Sequence, residues 1–416
     1  MLYVPRWWLI MLDALRSVLR MRPIELDATT RRLRTAASVD DLRAMARRRL
    51  PRGVFDYVDG GAEDERSLRG NCQAFADRTF SPRVLRDVGT IDTSTTLLGS
   101  PLPIPLALAP TGFTRAVDPD GELAVARAAH RAGLPYTLST LSTRSIEEVA
   151  ATGAGRHWFQ VYVWRDRGLV KDMIDRAASA GYEALMLTVD TAVLGRRERD
   201  VRRGFTLPPK IGLGTLVDGA LHPGWTWRFV RSDPIRFANV VAPSGAGVAD
   251  GTDAVTLADF VNSQFDPTMS WDDVAWLRSV WDGPIILKGI QRAADAVIAA
   301  DEGIDAIALS NHGGRQLDSA PAIVDLVAPV VDAVGDRSEI ICDGGVRRGS
   351  DIVKAVALGA RACLVGRAYL YGLGAAGERG VDHVLGLLSD DVARTMALVG
   401  AATVDELDRS LITGGR

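Results

Sequence analysis

A histidine and an arginine lie three positions apart in Ser310–Asp318, a glycine-rich segment with the sequence SNHGGRQLD. The largely apolar run Ile304–Leu309 precedes it and predicts a buried strand, so both side chains would follow a strand end. His312 can accept and return a proton near neutral pH, and Arg315 offers a planar fork of donors that matches a carboxylate. The pair therefore indicates proton transfer on a carbon beside a carboxylate. For an isolated His-x-x-Arg, a loop histidine and a solvated arginine are the alternative.

Short apolar runs bounded by turn residues recur along the chain beyond residue 100 and predict strands. The eight runs are Ile104–Ala109, Pro135–Leu138, Trp158–Val163, Ala184–Val189, Pro284–Leu287, Ala306–Leu309, Glu339–Ile341 and Ala362–Val365. Segments with helical periodicity lie between them, among them Glu122–Ala132, Leu169–Ala180 and Ala293–Asp301. Eight alternating strand and helix units predict a (β/α)8 TIM barrel, an α/β fold. A doubly wound sheet is the alternative, but the glycine-rich fingerprint expected after its first strand is absent.

Polar and reactive residues follow all eight predicted strands. In chain order they are Pro110, Thr111 and Gly112; Ser139; Gln160 and Tyr162; Thr188 and Asp190; Lys288; Ser310 and His312; Asp343, Gly344, Gly345, Val346 and Arg347; and Gly366 and Arg367. Because a barrel gathers the C-terminal ends of its strands on one face, we expect these residues to meet in one site. Eight such strand ends are hard to explain as unrelated solvated loops.

The loops after the seventh and eighth strands, with the sequences DGGVRRG and VGR, predict a phosphate site. Many barrels bind phosphate through backbone N–H groups of these two loops and a nearby helix N-terminus. Arg347 and Arg367 can add charge-assisted hydrogen bonds. The phosphate tail of a cofactor is the natural ligand of such a site.

Composition and charge exclude several other classes of protein. The chain has 416 residues, enough for two average domains or one large barrel. A formal net charge of -3 argues against a general nucleic-acid binder. The three cysteines, Cys72, Cys342 and Cys363, are scattered, and the five histidines have no metal-site spacing. We therefore expect a cytoplasmic protein without a bound metal.

Two segments outside the predicted strands combine tryptophan with arginine. Met1–Arg22 predicts a short amphipathic helix, whose apolar run is too short to span a membrane. The insertion Glu198–Asp266 carries an aromatic and basic patch between Trp225 and Arg231 and predicts a lid or a docking surface. Both segments could lie on an anionic membrane surface; a packing arm and a mobile ornament are the alternatives. We divide the chain into this arm, residues 1–37, and a barrel domain, residues 38–416.

Four motifs together carry a family resemblance. SNHGGRQLD, FDYVDGGAEDE before the barrel, and APTGFTR and STLSTRS after the first two strands resemble the FMN-dependent 2-hydroxy-acid dehydrogenase and oxidase family. The resemblance spans residues 38–398, and its N-terminal half is most similar to quinone-type L-lactate dehydrogenases. It implies a TIM barrel, FMN as the cofactor and oxidation of a 2-hydroxy acid.

The resemblance also implies roles for individual residues. His312 would take a proton from the 2-hydroxy acid, and Asp190 would stabilise the protonated imidazole. Tyr162 would contact the substrate hydroxyl, and Lys288 would offset the negative charge of reduced flavin. The residues that would hold the substrate carboxylate are Tyr57, Arg197 and Arg315. The residues that would line the isoalloxazine ring and ribityl chain are Thr111, Gly112, Ser139, Gln160, Thr188 and Ser310.

Two positions depart from the common family pattern. Gly112 stands where the family often has alanine. Glycine at this position resembles the dehydrogenase branches of the family, which pass electrons to quinone or cytochrome rather than oxygen. Leu141 stands where glycolate oxidase has tryptophan, so glycolate specificity is not supported. We expect oxidation of L-lactate to pyruvate with a quinone as acceptor, peripheral contact with the inner membrane, and a homotetramer. An oxidase that uses oxygen and a non-redox FMN- or phosphate-binding barrel are the alternatives.

Overall fold

A computed structural model describes residues 25–153, 155–203, 212–240 and 263–415. The chain divides into two units, with the boundary between Ala36 and Ala37. The described part of the first unit contains one short helix, Ala28–Leu33, which begins after the capping residue Asp27. The amphipathic helix predicted for Met1–Arg22 lies outside the described residues, as do residues 241–262 of the insertion.

The first described helix belongs to the first unit, and all the other described helices belong to the second. In chain order they are α1 (Ala28–Leu33), α2 (Val39–Arg49), α3 (Arg52–Asp59), α4 (Arg66–Ala76), α5 (Thr114–Val117), α6 (Gly121–Arg131), α7 (Ile146–Ala150), α8 (Arg167–Ser179), α9 (Glu198–Arg203), α10 (Leu213–Leu221), α11 (Pro223–Val230), α12 (Trp271–Val280), α13 (Ala293–Asp301), α14 (Ile323–Val334), α15 (Gly349–Ala357), α16 (Arg367–Ala376) and α17 (Glu378–Val399). Single 3-10 turns occur at Gly335–Arg337, Val404–Glu406 and Arg409–Leu411.

Eight parallel strands close into a barrel. The described strands are β1 (Arg78–Phe80), β2 (Thr95–Leu97), β3 (Ser100–Leu102), β4 (Leu106–Leu108), β5 (Tyr136–Ser139), β6 (His157–Val161), β7 (Ala184–Thr188), β8 (Ile285–Ile290), β9 (Ala306–Ser310), β10 (Glu339–Asp343), β11 (Ala362–Val365) and β12 (Ile412–Gly414). The barrel runs from β4 to β11 in sequence order and closes where β11 pairs with β4. The pairs β1–β12 and β2–β3 are antiparallel and lie outside it.

All eight predicted strands are present in the barrel, so the prediction of a (β/α)8 fold is confirmed. The largest difference at a strand end is at the fifth predicted strand, which ends at Ile290 and not at Leu287. The largest difference at a strand start is at the first, which begins at Leu106 and not at Ile104. Pro105 has no N–H group to donate to a ladder, which accounts for the later start. The predicted helices also agree, and α2 begins after Ser38, whose Oγ accepts from Asp41 N at 3.2 Å.

The barrel interior is filled by alternating large and small side chains. The buried cluster includes Trp158, Met186, Ile286, Ile341 and Leu364 together with Ala107, Ala109, Ala184, Ala306, Ala308 and Ala362. A barrel packed in this way has no central channel, so space for a ligand remains at its C-terminal face. No helix among those described is long and apolar enough to cross a membrane. Across the same residues, no group of three His, Cys, Asp or Glu side chains could hold a metal ion.

Hydrogen bonds attach residues 233–239 of the insertion to segments that follow β4 and β5. Arg115 donates to the carbonyl of Asp233 at 2.5 Å. Asn239 donates through Nδ2 to Ser142 Oγ at 2.7 Å, and its Oδ1 accepts from Ile146 N at 2.9 Å. This part of the insertion is therefore anchored by the loops that follow β4 and β5.

Candidate active site

A cavity that opens to solvent lies at the C-terminal ends of the barrel strands. Its volume, including the open mouth, is about 1140 Å³. Most of the predicted site residues line it. They are Tyr57, Pro110, Thr111, Gly112, Ser139, Gln160, Tyr162, Thr188, Arg197, Lys288, His312, Arg315, Asp343, Gly344, Gly345, Val346, Arg347, Gly366 and Arg367. Asp190 and Ser310 lie one layer behind and hydrogen-bond to His312. The structure thus brings all the predicted residues together in one place.

His312 is held by contacts on its backbone and on its ring. It has a left-handed φ of 57°, and its N–H donates to Ser310 Oγ at 3.0 Å. Its Nδ1 lies 3.0 Å from Asp190 Oδ1. Burial lowers the pKa of His312, the Asp190 carboxylate opposes that shift, and Lys288 adds to it. The imidazole is therefore neutral at pH 7, and with Nδ1 bonded to Asp190 its Nε2 is left to accept a proton from a ligand.

Lys288 lies beside the His312 loop, in a buried cluster with Ser310 and Asp343. Its Nζ donates to Ser310 Oγ at 3.0 Å and lies 3.0 Å from Asp343 Oδ2. Ser310 Oγ in turn donates to Asp343 Oδ2 at 2.7 Å. Burial alone would lower the pKa of Lys288, but the carboxylates of Asp343 and Asp190 outweigh burial and raise it. The site therefore keeps a positive charge on the cavity wall at neutral pH.

Two guanidinium groups flank one tyrosine ring on the same side of the cavity. Arg315 lies 4.9 Å and Arg197 lies 6.0 Å from the centre of the Tyr57 ring. Arg315 also donates to the carbonyl of Tyr57 at 2.6 Å. Burial lowers the pKa of Arg315, and the positive charge of Arg197 lowers it further. Two cations that disfavour each other in this way make a site for an anionic group that can contact both.

Tyr162 adds a neutral hydroxyl to the cavity wall. Its side chain is buried, and burial followed by the charge of Asp190 raises the pKa of its phenol. The hydroxyl therefore stays protonated and can donate a hydrogen bond to a ligand oxygen.

Unpaired polar atoms on the cavity wall test whether the site fits a polar cofactor. Gln160 Nε2 and Thr188 Oγ1 are buried and have no hydrogen-bond partner. Both residues line the cavity, and Gln160 is held in place by Ser139 Oγ, which donates to its Oε1 at 3.0 Å. Leaving such donors unpaired is costly, so they mark a position for a ligand with polar atoms. With the Lys288 cation nearby, the residues present fit the flat, polar ring of FMN.

The loop after β10 provides a cradle at the other end of the cavity. Gly345 has a φ of 89°, and a Cβ atom there would lie 2.4 Å from the carbonyl oxygen of Asn71. Asn71 and Asn311 pair reciprocally through their side-chain amides at 2.8 and 3.0 Å. Only glycine allows this approach between the loop and α4. The His312 loop and the predicted phosphate loop are thereby joined through one asparagine pair.

The two arginines predicted for the phosphate differ in their protein contacts. Arg367 donates to the carbonyls of Val58, Gly60 and Gly313 at 3.1, 2.7 and 2.8 Å. It therefore ties the end of α3 to the His312 loop, a use that the sequence did not predict. Arg347 donates to the carbonyl of its neighbour Val346, and its guanidinium lies 5.8 Å from the Tyr371 ring centre. Both arginines lie on the cavity wall.

Sequence reasoning missed several residues of the cavity wall. Among them are Thr191, Leu194, Phe265 and Gln316. Phe265 comes from the end of the insertion, bridges to Trp164 and lies edge-on to the Tyr162 ring at 5.2 Å. No motif marks this phenylalanine, because its position depends on how the insertion returns to the barrel. Gln316 belongs to the signature segment, but its side chain had no assigned partner.

Comparisons with known proteins agree with this geometry. The family model described as FMN-dependent dehydrogenase matches residues 46–414. An L-lactate dehydrogenase of Caulobacter vibrioides is 44% identical over 380 residues, 90% of this chain and 97% of that protein. An L-lactate oxidase of Nostoc sp. is 42% identical over 372 residues, 88% of this chain and 95% of that protein.

A solved structure gives the same result for the fold. The crystal structure of the monotopic membrane protein (S)-mandelate dehydrogenase has a TM-score of 0.87 and 41% identity, covering 91% of this chain and 100% of that one. Family and fold thus agree, and the expectation of FMN as cofactor is confirmed. The chain belongs to the family of FMN-dependent dehydrogenases that oxidise 2-hydroxy acids.

Proposed function

We propose that this protein oxidises L-lactate to pyruvate and passes the electrons to a quinone. The observation that carries the proposal is the position of His312, bonded to Asp190, in one cavity with the cationic pair Arg197 and Arg315. A proton acceptor beside a carboxylate site is what oxidation of a 2-hydroxy acid requires. A barrel that only bound a phosphate would need neither group.

In the proposed reaction, each of the following residues has a separate role. Arg197 and Arg315 bind the substrate carboxylate and fix the position of the neighbouring carbon. Tyr162 donates a hydrogen bond to the oxygen on that carbon. His312 accepts a proton through Nε2, and Asp190 stabilises the resulting imidazolium. When bound, FMN supplies the two-electron acceptor, which the protein side chains cannot provide.

Apolar side chains on the cavity wall support an apolar substituent on the substrate. Leu141, Leu194 and Phe265 line the cavity and present apolar atoms. Burial of a methyl group, as in lactate, against these side chains costs no hydrogen bond, whereas a charged substituent would be buried without a partner. The relative from Caulobacter vibrioides, an L-lactate dehydrogenase, supports the same choice.

Exposed apolar side chains on α10 and α11 support a peripheral site on the cytoplasmic face of the membrane. The exposed side chains are Leu216, Leu221, Trp227 and Val230. The guanidinium of Arg231 lies over the Trp227 ring, 4.9 Å from its centre. Trp225 is different, because its Nε1 donates to the carbonyl of Ala116 on the barrel. An apolar surface edged by arginine suits the boundary of an anionic bilayer. A quinone dissolved in that bilayer would then be close to the enzyme.

A homotetramer remains part of the proposal. Val84 and Leu85 are 80% and 102% exposed, and Leu85 has a φ of 58°. Apolar side chains this exposed are suited to contact with another copy of the chain. Sedimentation at several concentrations measures the subunit number; a monomer at all of them would contradict the assignment.

A two-step experiment tests the reaction. The FMN-loaded protein is first mixed without air with L-lactate, glycolate or (S)-mandelate, and loss of the oxidised flavin absorbance is followed. The lactate-reduced protein is then mixed with a quinone analogue or with air-saturated buffer. We expect L-lactate to give the highest kcat/KM and the quinone to restore the absorbance faster than oxygen. Equal rates with oxygen would identify an oxidase, and no bleaching with any acid would refute the proposed reaction.

A further inference from the structure

The side chain of Gln316 holds three backbone groups of a single loop. Its Nε2 donates to the carbonyls of Asp190 at 3.0 Å and Val193 at 2.9 Å, and its Oε1 accepts from Gly195 N at 2.9 Å. Both N–H groups and the carbonyl of the amide are therefore in use. The partners also fix the orientation of the amide, because a reversed one would place oxygen against two carbonyls.

The loop that Gln316 holds connects the two functional halves of the site. It begins at Asp190, which contacts His312, and leads to Arg197 beside Tyr57. It passes close to the signature segment, since a Cβ atom on Gly195 would lie 2.3 Å from the carbonyl oxygen of Arg315. A second tie, Glu63 N to the carbonyl of Arg196 at 2.9 Å, joins the end of the same loop to the segment after α3.

We infer that Gln316 is a positioning residue for the proposed oxidation, which holds Asp190 against His312 and Arg197 over the substrate carboxylate at the same time. The inference rests on the proposed function, because it assigns Gln316 an effect on both of those groups. Gln316 acts through the backbone of residues 190–195 and touches no reacting atom. Gln316 directly follows Arg315. The segment Ser310–Asp318 therefore carries the base, the carboxylate-binding arginine and the residue that positions Asp190 and Arg197.

The location of the loop argues that a clamp is needed there. Val193 and Leu194 are 70% and 44% exposed, so burial of apolar side chains contributes little to holding them. Gln316 itself is 9% exposed, and its hydrogen bonds are thus shielded from competing water. Loss of these bonds would release the loop between its two functional residues and leave the rest of the barrel unchanged.

The test compares Gln316→Met with Gln73→Met in the full-length, FMN-loaded protein. Methionine keeps the length of glutamine but removes all three hydrogen bonds. Gln73 donates one exposed side-chain hydrogen bond, to Asp77 directly after α4, and serves as the matched control. For Gln316→Met we expect flavin reduction at saturating L-lactate to slow about tenfold or more, and the dissociation constant of oxalate to rise about fivefold. FMN content and the unfolding midpoint should match those of the control.

Two double variants separate positioning from general damage. In an Asp190→Asn background, Gln316→Met should slow flavin reduction by a smaller factor than it does in the wild type. In an Arg197→Met background, it should weaken oxalate binding by a smaller factor, because the residue through which it acts is already missing. The full penalty in both backgrounds would overturn the inference. So would a Gln316→Met variant with wild-type reduction rate and oxalate affinity.

A second variant covers the case in which Gln316→Met does not fold. Gln316→Glu keeps an acceptor for Gly195 N but loses both donors, and we expect the same two defects from it. Normal reduction and oxalate binding by this variant would also overturn the inference. A wild-type protein that no 2-hydroxy acid reduces would refute the proposed function instead, while its oxalate affinity would still report on the loop.

Discussion

The imidazole of His312 and the carboxylate of Asp190 meet at 3.0 Å, although 122 positions separate the two residues in the sequence. The barrel makes the contact possible, because β7 precedes Asp190, β9 precedes His312, and both strands pair with β8. A carboxylate at Nδ1 fixes the imidazole tautomer and favours its protonated form once a proton has been accepted. The relationship leads directly to a prediction about pH.

Asp190→Asn should move the acid limb of the kcat/KM profile to lower pH and still reduce the rate. Burial already lowers the pKa of His312, and Asp190 is the group that raises it, so removing the carboxylate lowers it further. The rate falls because the imidazolium loses its partner, by about 100-fold to 10000-fold. Asp175→Asn, which removes an exposed partner of Lys171, is the control. An acid limb that stays in place or moves to higher pH would show that Asp190 does not act through His312.

Lys288→Met should slow flavin reduction by L-lactate far more than it weakens FMN retention. The lysine is buried against Ser310 and Asp343, and it places a positive charge at the cavity wall. We expect a loss of about 100-fold in the reduction rate measured by stopped flow. Removal of the cation also leaves the Asp343 carboxylate without its cationic partner, so the free energy of unfolding should fall by about 3 kcal/mol. Lys171→Met is the exposed control, and unchanged reduction kinetics would remove Lys288 from the mechanism.

Asp59 should contribute stability that is lost in acid. Its carboxylate pairs with Arg43 and Arg199 and accepts from the Tyr371 hydroxyl at 2.8 Å; together these contacts outweigh burial and lower its pKa from 3.8 to about 2. A lowered pKa means that the stabilisation is complete above 3.8 and disappears as the pH falls towards 2. Asp59→Asn should therefore cost about 2 kcal/mol of unfolding free energy at neutral pH. Denaturant unfolding from neutral to acid pH measures the difference, which should shrink only in acid; a constant difference would contradict the assignment.

The sequence predicted the barrel and most of the site for a physical reason. Parallel buried strands are continuous apolar runs, and a barrel places whatever follows each run on a single face. His312, Lys288 and Asp343 could therefore be assigned to one site before any contact was known. Phe265 could not, because it reaches the cavity from an insertion whose path follows no repeating pattern. Gln316 was visible in the signature, but its function depends on the backbone of a loop over 120 positions away.

Exposed side chains on α10 and α11 should attach the protein to anionic vesicles. The double variant Leu221→Ser and Trp227→Ser removes two apolar contacts from that surface and should reduce the fraction that floats with the vesicles. A variant that begins at Ser38 should show a further loss that is largest at low salt and shrinks at moderate salt, because the removed arm is basic and salt screens its attraction to anionic lipid. Ile298→Ser, a change at an exposed apolar position on α13, is the control. Equal flotation of all four proteins would exclude both segments as membrane contacts.

Gly112 should influence which acceptor reoxidises the flavin. It lines the cavity, and a Cβ atom there would lie 3.2 Å from both Cβ and the carbonyl oxygen of Leu141. Gly112→Ala therefore requires the loops after β4 and β5 to separate by a few tenths of an ångström beside the flavin site. Glycine at this position is the feature by which the chain resembles the dehydrogenase branches of the family, so we expect the alanine variant to react faster with oxygen and to keep most of its activity with L-lactate. In the wild type, the quinone analogue should reoxidise the flavin about tenfold or more faster than air-saturated buffer does.

The measurement is reoxidation of the lactate-reduced protein, with Gly70→Ala as control because a Cβ atom at Gly70 meets nothing within 4 Å. If Gly112→Ala leaves the ratio of the two reoxidation rates unchanged, the missing methyl group does not explain the choice of acceptor, and the preference for quinone must come from other parts of the cavity.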